Sequence, residues 1–176
     1  MTDIHKRTLG TTAAYPFLPE KFVFSFLKDD STIEMNVNGA STPVSYKYTA
    51  PAGKRVYVYR VNMMMLDASV TASKFGGVAS LTTGITVKVK NSADTELLDF
   101  LDGQTIQNNT EFGLLAGTDV NVGKGADGVN IRWTLASAGG SLILESGDYL
   151  EVLVQDNLTG LTSFQAMLQG IVEDNS

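Results

Sequence analysis

Hydrophobic side chains recur at every second position through most of this chain, and that alternation limits the fold more than any other feature of the sequence. A period of two places successive side chains on opposite faces of an extended strand. The periodicity of an amphipathic helix is nearly absent, so we expect an all-β protein. The alternating hydrophobic sets are Phe22, Phe24 and Phe26; Ile33, Met35 and Val37; Val44, Tyr46 and Tyr48; Ile85, Val87 and Val89; Val129, Ile131, Trp133 and Leu135; Leu150, Val152 and Val154; and Phe164, Ala166 and Leu168.

Short turn-forming sequences separate these sets. They are Asn38-Gly39, Pro51-Ala52-Gly53, Asp127-Gly128 and Gly139-Gly140. Each supplies a positive φ angle or a preset turn, so hairpins are expected. With two shorter segments, Leu97–Leu101 and Leu142–Leu144, we count about eight to ten short strands and no ten-residue helix between them, which favours antiparallel packing over βαβ units. We therefore predict an antiparallel β-sandwich with jelly-roll topology.

Three segments depart from the regular alternation. Lys54 to Asp67 is too long for one ordinary strand, and its hydrophobic phase shifts around Arg60. A β-bulge or bend at that point would explain the shift. The segments from Asp67 to Gly77 and from Gln107 to Leu115 are interpreted as short helical or irregular turns.

The first twenty residues have no alternation, and their prolines favour extended backbone. We predict an N-terminal arm over residues 1–20 and a single β-sandwich domain over residues 21–176. Tyr15, Phe17 and Leu18 of the arm are the candidate partner-binding residues, because large hydrophobic side chains dominate the energetics of protein interfaces. The arm can lie over its own domain or reach a neighbouring subunit, and the sequence favours neither.

The balance of charge argues against a nucleic-acid partner. The 176 residues include 13 Lys plus Arg and 19 Asp plus Glu, a net charge of −6, which offers no source for counterion release. There is no cysteine and one histidine, His5, so disulfides, thiolate metal sites and a Ser-His-Asp triad are not expected. No hydrophobic run has the length of a signal peptide or a spanning helix, which predicts folding in a cytoplasm and no membrane partner.

Two motifs in one loop resemble ligand sites. Gly123–Gly128 matches G-x-G-x-x-G, but a strand is predicted after it where the dinucleotide fingerprint needs a helix, so we interpret it as a loop that ends in a hairpin turn. Asp119, Asn121 and Asp127 are calcium-type oxygen donors, yet the sixth and twelfth positions lack the Gly and Glu of an EF-hand. We predict no cofactor and no metal; a calcium site built from scattered loops would escape any spacing rule.

The acidic residues do not select a catalytic pair by their spacing. Those that could converge in space as glycosidase carboxylates are Glu96, Asp99, Asp102, Glu145, Asp148 and Glu151. Glu151 alternates with buried neighbours, so we expect it on a solvent-exposed face. We predict that the protein is not an enzyme.

Two unusual hydrophobic features are interpreted as core. Met63-Met64-Met65 suits a central strand covered on both faces, with a flexible interface as the alternative. Trp133 is in phase with Val129, Ile131 and Leu135, which predicts a core anchor whose indole N–H finds a hydrogen-bond partner.

Several turn and strand signatures form a recognisable set. They are Tyr48–Tyr57 with Asn62 and Asp67, Ser73-Lys74-Phe75-Gly76, Leu81-Thr82-Thr83-Gly84-Ile85, Asp102-Gly103 to Phe112, Arg132-Trp133-Thr134, Gly147-Asp148-Tyr149-Leu150 and Asp156–Leu161. The set resembles small structural proteins of tailed bacteriophage particles. The resemblance implies a virion-associated jelly roll, with capsid cement or decoration as the best-known role.

Further expectations come from this resemblance. It implies the major capsid protein and copies of the same chain as partners, clustering as trimers at capsid symmetry axes. The negative charge suits the capsid exterior better than contact with packaged DNA, after assembly in the host cytoplasm. A phage neck or tail component and a carbohydrate-binding β-sandwich module remain alternatives, because such folds host many functions.

Overall fold

Ten β-strands and no helix are present in the part of the chain that the structure describes. The computed structural model describes residues 22–26, 34–66, 83–101, 119–125, 128–135 and 142–175. The strands are β1 (Phe22–Phe26), β2 (Val44–Thr49), β3 (Lys54–Leu66), β4 (Ile85–Lys90), β5 (Glu96–Asp99), β6 (Asp119–Gly125), β7 (Gly128–Thr134), β8 (Leu142–Leu144), β9 (Tyr149–Val154) and β10 (Ser163–Asp174). All strand pairs are antiparallel. The prediction of an all-β antiparallel fold is confirmed.

The strands form two sheets with a nested order of pairing. The six-stranded sheet runs β1-β10-β3-β7-β6, and β8 pairs with the first half of β3 beside the end of β7. The four-stranded sheet runs β2-β9-β4-β5. Along the chain, β1 pairs with β10, β2 with β9, β3 with β7 and β4 with β5. β1, β2 and β3 therefore each pair with a strand from the second half of the chain, and β4 pairs with the strand that follows it.

Both sheets bury one face in a single hydrophobic core. Alternate residues of β3, β7 and β10 in one sheet and of β2, β4 and β9 in the other belong to the same buried cluster. Phe100, which follows β5, contacts Trp133 of β7 edge-to-face with 5.4 Å between ring centroids. This contact joins the two sheets. The predicted core positions of Met63, Met65 and Trp133 are confirmed, whereas Met64 lies half-buried on the opposite face.

The environment of the Trp133 ring differs from the prediction in one respect. Its indole N–H has no hydrogen-bond partner although the side chain is fully buried. The ring lies within the apolar core, and its N–H meets no acceptor among the residues that the structure describes. An unpaired buried donor of this kind costs about 1–3 kcal/mol, which the hydrophobic burial of the ring offsets.

A β-bulge interrupts the pairing of β3 with β10, as the phase shift in the sequence predicts. Gln169 pairs with Arg60 and Gly170 with Val58, so Tyr59 is the extra residue. The Tyr59 carbonyl accepts instead from the N–H of Leu135 at 2.7 Å. A Cβ atom at Gly170 would lie 2.3 Å from the Tyr57 carbonyl oxygen. Only glycine permits this approach of the two backbones.

Two segments differ from their predicted structure. Residues 34–37 form no regular strand, although Ile33 to Val37 alternates. The Met35 N–H donates to the Phe164 carbonyl and the Val37 carbonyl accepts from Leu158, so the segment bridges two different elements instead of following one. Asp119–Gly125, predicted to be a loop, is strand β6, because it pairs with β7 along its whole length despite its two glycines.

Several predictions concern residues outside the described ranges. These are the arm over residues 1–20 with Tyr15, Phe17 and Leu18, the helical turns in 67–77 and 107–115, and the residues Asp102 and Asp127. The hairpin expected after the G-x-G-x-x-G motif is confirmed by the pairing of Gly125 with Gly128. Within the described ranges, no helix has the length and hydrophobicity needed to cross a bilayer.

The bulge predicts a specific intolerance at Gly170. Replacing Gly170 by Ala introduces a clash with the Tyr57 carbonyl and should lower the free energy of unfolding by about 1–3 kcal/mol, the range for overpacked sites. Urea denaturation followed by circular dichroism measures the change. Gly53→Asn is the control, because Gly53 has a φ of 69° with open space around its Cβ position, and Asn tolerates that backbone region. Equal stabilities for the two variants would contradict the account of the bulge.

Candidate interaction surfaces

The outward side of the four-stranded sheet carries a network of charged and polar side chains. We call this surface the charged face. Its residues are Ser45, Lys47, Lys88, Lys90, Glu96, Asp99, Tyr149 and Glu151. The members on β2, β4 and β9 alternate with core residues, so the hydrophobic pattern of the sequence places them on this side. Glu96 and Asp99 of β5 reach it by pairing with Lys90 and Lys88 across a register shift.

Glu151 lies at the centre of the charged face and is buried there. The sequence predicts a solvent-exposed Glu151, and this prediction is wrong: the residue is only 4% exposed. Its carboxylate accepts hydrogen bonds from the Ser45 hydroxyl and from Lys90 Nζ, the latter at 2.5 Å, and Lys47 Nζ lies 4.0 Å away. Long lysine side chains from both neighbouring strands cover the carboxylate, because their apolar stems lie along the sheet.

A second ion-pair group joins β4 to β5. Lys88 Nζ lies 2.7 Å from Glu96 Oε2 and 3.2 Å from Asp99 Oδ2. The hydrogen bond to Glu96 is the main cause that raises the pKa of Lys88, and Asp99 adds to it. The two carboxylates share one cation across the strand pair, which stabilises the edge of the sheet.

Tyr149 links the charged face to the β4–β5 turn. Its hydroxyl donates to Asp94 Oδ1, and Lys47 Nζ lies 4.0 Å from the centre of its ring. Asp94 reaches this position because it adopts a φ of 63° in a turn that Asn91 stabilises by accepting the N–H groups of Ala93 and Thr95. Burial and then the hydrogen bond to Asp94 raise the pKa of Tyr149, and the same bond lowers the pKa of Asp94.

The described carboxylates proposed as glycosidase candidates do not form an isolated pair. Glu145 contacts Arg55 Nη2 at 2.8 Å, and Asp148 accepts the N–H of Glu145 within a turn. Glu96, Asp99 and Glu151 are held by lysines as described above. Each of these carboxylates therefore has a structural partner, and the described arrangement brings no two of them together around an open site.

Two further carboxylates hold backbone segments in place. Buried Asp156 accepts the N–H groups of Thr83 and Gly84 at the start of β4. Glu34 accepts the N–H of Phe164 at 2.7 Å and the side chains of Ser163 and Gln165 at the start of β10. Such bonds satisfy N–H groups where strands begin and fix the strand ends relative to one another.

The outward side of the six-stranded sheet has a different composition. We call it the arginine face. Among its described residues are Tyr57, Tyr59, Arg60, Asn62, Met64, Arg132, Ile143, Met167, Gln169 and Ile171. Arg55, Glu145 and Glu173 lie at one end of the same side of the sheet. Most are half-buried, while Arg132 and Ile143 are exposed. Hydrophobic, aromatic and arginine side chains therefore share a surface that faces away from the core.

Two arginines on this face lack the ion pairs that hold the other described cations. Arg60 pairs in register with Thr134, and Arg132 pairs with Asn62, so the two arginines occupy diagonal positions on neighbouring strands. Neither has an acidic partner among the residues that the structure describes. The Nε of Arg60 is buried and has no acceptor. Arg55, by contrast, is engaged by Glu145.

The sequence predicts the partner-binding residues in the arm and does not indicate the arginine face. Arg60 and Arg132 both lie at polar positions of alternating strands, which predicts that each faces outward. The alternation within each strand does not predict the register between β3 and β7. Two residues separated by more than seventy positions become neighbours only through strand pairing.

Neither a family match nor a metal-binding cluster identifies the function of this chain. No protein-family model matches this chain, and no curated protein matches it. Among the described residues there is no group of three or more His, Cys, Asp or Glu side chains arranged to hold a metal ion. The two candidate calcium donors that are described, Asp119 and Asn121, lie on strand β6 and not in a loop.

The buried carboxylate of Glu151 predicts a strong dependence on Lys90. Replacing Lys90 by Met should lower the free energy of unfolding by about 2 kcal/mol, because it leaves a desolvated charge without its closest cation. The double variant Lys90→Met/Glu151→Leu should recover most of that loss, since a hydrophobic pair removes the buried charge as well. Chemical denaturation measures all three chains.

Lys54→Met is the matched control for this pair. Lys54 contacts Asp174 on an exposed part of β10, and exposed pairs contribute little, about 0–1 kcal/mol. If Lys90→Met and Lys54→Met cost the same, the Glu151 carboxylate does not depend on Lys90.

Tyr149 predicts a loss of stability at alkaline pH. Its pKa in the folded chain is raised above the ordinary tyrosine value of about 10. Above pH 10 the unfolded chain therefore loses a proton that the folded chain retains, and stability falls as pH rises; below pH 10 the contribution is fully present. The urea midpoint of the wild-type protein should fall between about pH 10 and pH 12 more steeply than that of Tyr149→Phe. Parallel curves would show that Tyr149 ionises normally.

Proposed function

We propose that this chain is a structural protein of a tailed-bacteriophage particle, a capsid cement or decoration protein with a jelly-roll fold. The observation that carries the proposal is the nested strand pairing, β1·β10, β2·β9, β3·β7 and β4·β5, divided between two antiparallel sheets. A jelly roll is a double-sheet fold of eight principal strands with this kind of order; β6 and β8 are additions to it. The sequence resemblance to virion structural proteins points to the same fold.

The side chains support a role in binding instead of catalysis. The described carboxylates are engaged in holding lysines, arginines and backbone N–H groups. Such a domain presents rigid surfaces, and its function then lies in the neighbours that it contacts. We propose the major capsid protein and further copies of this chain, as a trimer, as those neighbours.

Cement of this kind acts by mass action. A protein that binds the assembled shell and not its separated subunits lowers the free energy of the assembled state. At a free concentration of one hundred times Kd, each occupied site contributes about 2.7 kcal/mol. The net charge of −6 supports a site on the capsid exterior, away from the packaged DNA.

Reconstitution on particles tests the function. Purified chain is added to particles of the parent phage that lack its gene, and binding is measured by co-sedimentation and cryo-electron microscopy. We expect saturable binding at capsid symmetry axes, multi-angle light scattering consistent with a trimer, and a higher temperature of shell disruption. Density at the neck or tail would favour that alternative location.

Two results would contradict the proposal as a whole. One is a strict monomer that binds no part of the particle. The other is specific binding on a glycan array that is abolished by replacing Phe75 or Phe112, which would identify a carbohydrate-binding module.

A further inference from the structure

We propose that the arginine face binds a carboxylate-bearing protein surface of the capsid shell, with Arg60 and Arg132 as the residues that recognise it. This inference rests on the proposed function, because it names which surface of the chain meets the shell. The two sheets differ in their outward charges. The lysines and carboxylates of the charged face pair with one another, whereas the arginine face has two guanidinium groups that no described acid engages.

The charged face is a poor docking surface for energetic reasons. A partner would have to displace bonds that already exist, such as those from Lys90 to Glu151 and from Lys88 to Glu96 and Asp99. Breaking a desolvated pair leaves one charge without a partner, which costs several kcal/mol. The network is better explained as a stabilising cover for the sheet.

Arg60 and Arg132 have no such competing ion pair among the described residues, whereas Arg55 at one end of the same side is held by Glu145. The buried Nε of Arg60 lacks an acceptor, and no described acid lies within ion-pair distance of the Arg60 or Arg132 guanidinium. Arginine recognises carboxylates through two parallel hydrogen bonds, and this geometry makes it the preferred cation at interfaces. Two arginines on diagonal positions of β3 and β7 can engage two carboxylates of one partner surface.

The surroundings of these arginines suit the centre of an interface. Tyr57, Tyr59, Met64 and Met167 flank them on the same outward side. Tyrosine, methionine and arginine are enriched at protein interfaces, whereas lysine and glutamate are depleted. The flanking side chains would exclude water around the arginine–carboxylate bonds and so strengthen them.

A second copy of the same face is the wrong occupant. In a twofold contact, identical surfaces meet, and two arginine faces would bring together the four guanidinium groups of Arg60 and Arg132. The described acids of this side, Glu145 and Glu173, stand beside Arg55 at the other end of β3. Like charges placed opposite each other across an interface cost several kcal/mol. The net charge of −6 adds a constraint on orientation, because an acidic shell surface repels most of this chain and attracts this face.

The test uses two double variants with the same change in net charge. Arg60→Gln/Arg132→Gln removes the charges of the two arginines that no described acid engages. Lys47→Gln/Lys54→Gln removes two positive charges elsewhere, from side chains that are 40% and 41% exposed. Binding to particles that lack the chain is measured by co-sedimentation over a range of salt concentrations, and urea denaturation verifies that both variants fold.

We expect the arginine variant to bind at least about tenfold more weakly than the wild-type chain, and the lysine variant to bind within about threefold of it. The dependence of the binding constant on salt should also become shallower in the arginine variant only. Arg60→Lys/Arg132→Lys should restore binding in part, because lysine keeps the charge but not the fork of donors.

The possible results separate this inference from the proposed function. If the wild-type chain binds particles and both double variants bind equally well, the arginine face is not the docking surface, while the cement function stands. If the wild-type chain binds no particle, the proposed function is wrong and the shell is not the partner. If the arginine variant binds particles normally but loses its trimeric state, the face joins copies of this chain and the inference is overturned.

Discussion

Burial of one shared hydrophobic core by two sheets is the constraint on which the rest of this structure depends. Each sheet contributes alternate residues to the same cluster, and Phe100 against Trp133 connects them. Because a strand has a period of two, every residue that enters the core assigns its neighbours to an outer face. The core therefore decides which residues can meet a partner, and a slip of one residue in register would exchange the two sets.

The outward sides of the two sheets differ in how their charged residues are paired. On the four-stranded sheet, lysines and carboxylates lie on adjacent strands and neutralise one another, even to the point of burying Glu151. On the six-stranded sheet, the β-bulge at Tyr59 places Tyr59 and Arg60 next to each other on a surface of methionine, tyrosine and isoleucine. Bulges commonly re-aim side chains in this way, so the local irregularity has a consequence for recognition as well as for strand pairing.

The sequence predicts most of the strands because their signal is local. Alternation identifies β2, β4, β7, β9 and β10, and a phase shift predicts the bulge near Arg60. The predictions fail where neighbours in space decide the outcome. β6 contains Gly123 and Gly125 and forms through pairing with β7, Glu151 is buried by lysines from other strands, and the Trp133 N–H has no acceptor because its surroundings are apolar.

The same distinction explains why the sequence alone does not predict the arginine face. Arg60 and Arg132 are ordinary outward-facing arginines when each strand is considered alone. They become a pair because β3 and β7 are antiparallel neighbours in one register. In that register the core residues Val61 and Met63 of β3 lie opposite Trp133 and Ile131 of β7. The geometry of the recognition surface is therefore coupled to hydrophobic contacts on the opposite side of the sheet. A change in the core that shifts β7 along β3 would separate the arginines without altering either one, so the shape of this face and the stability of the fold are expected to vary together.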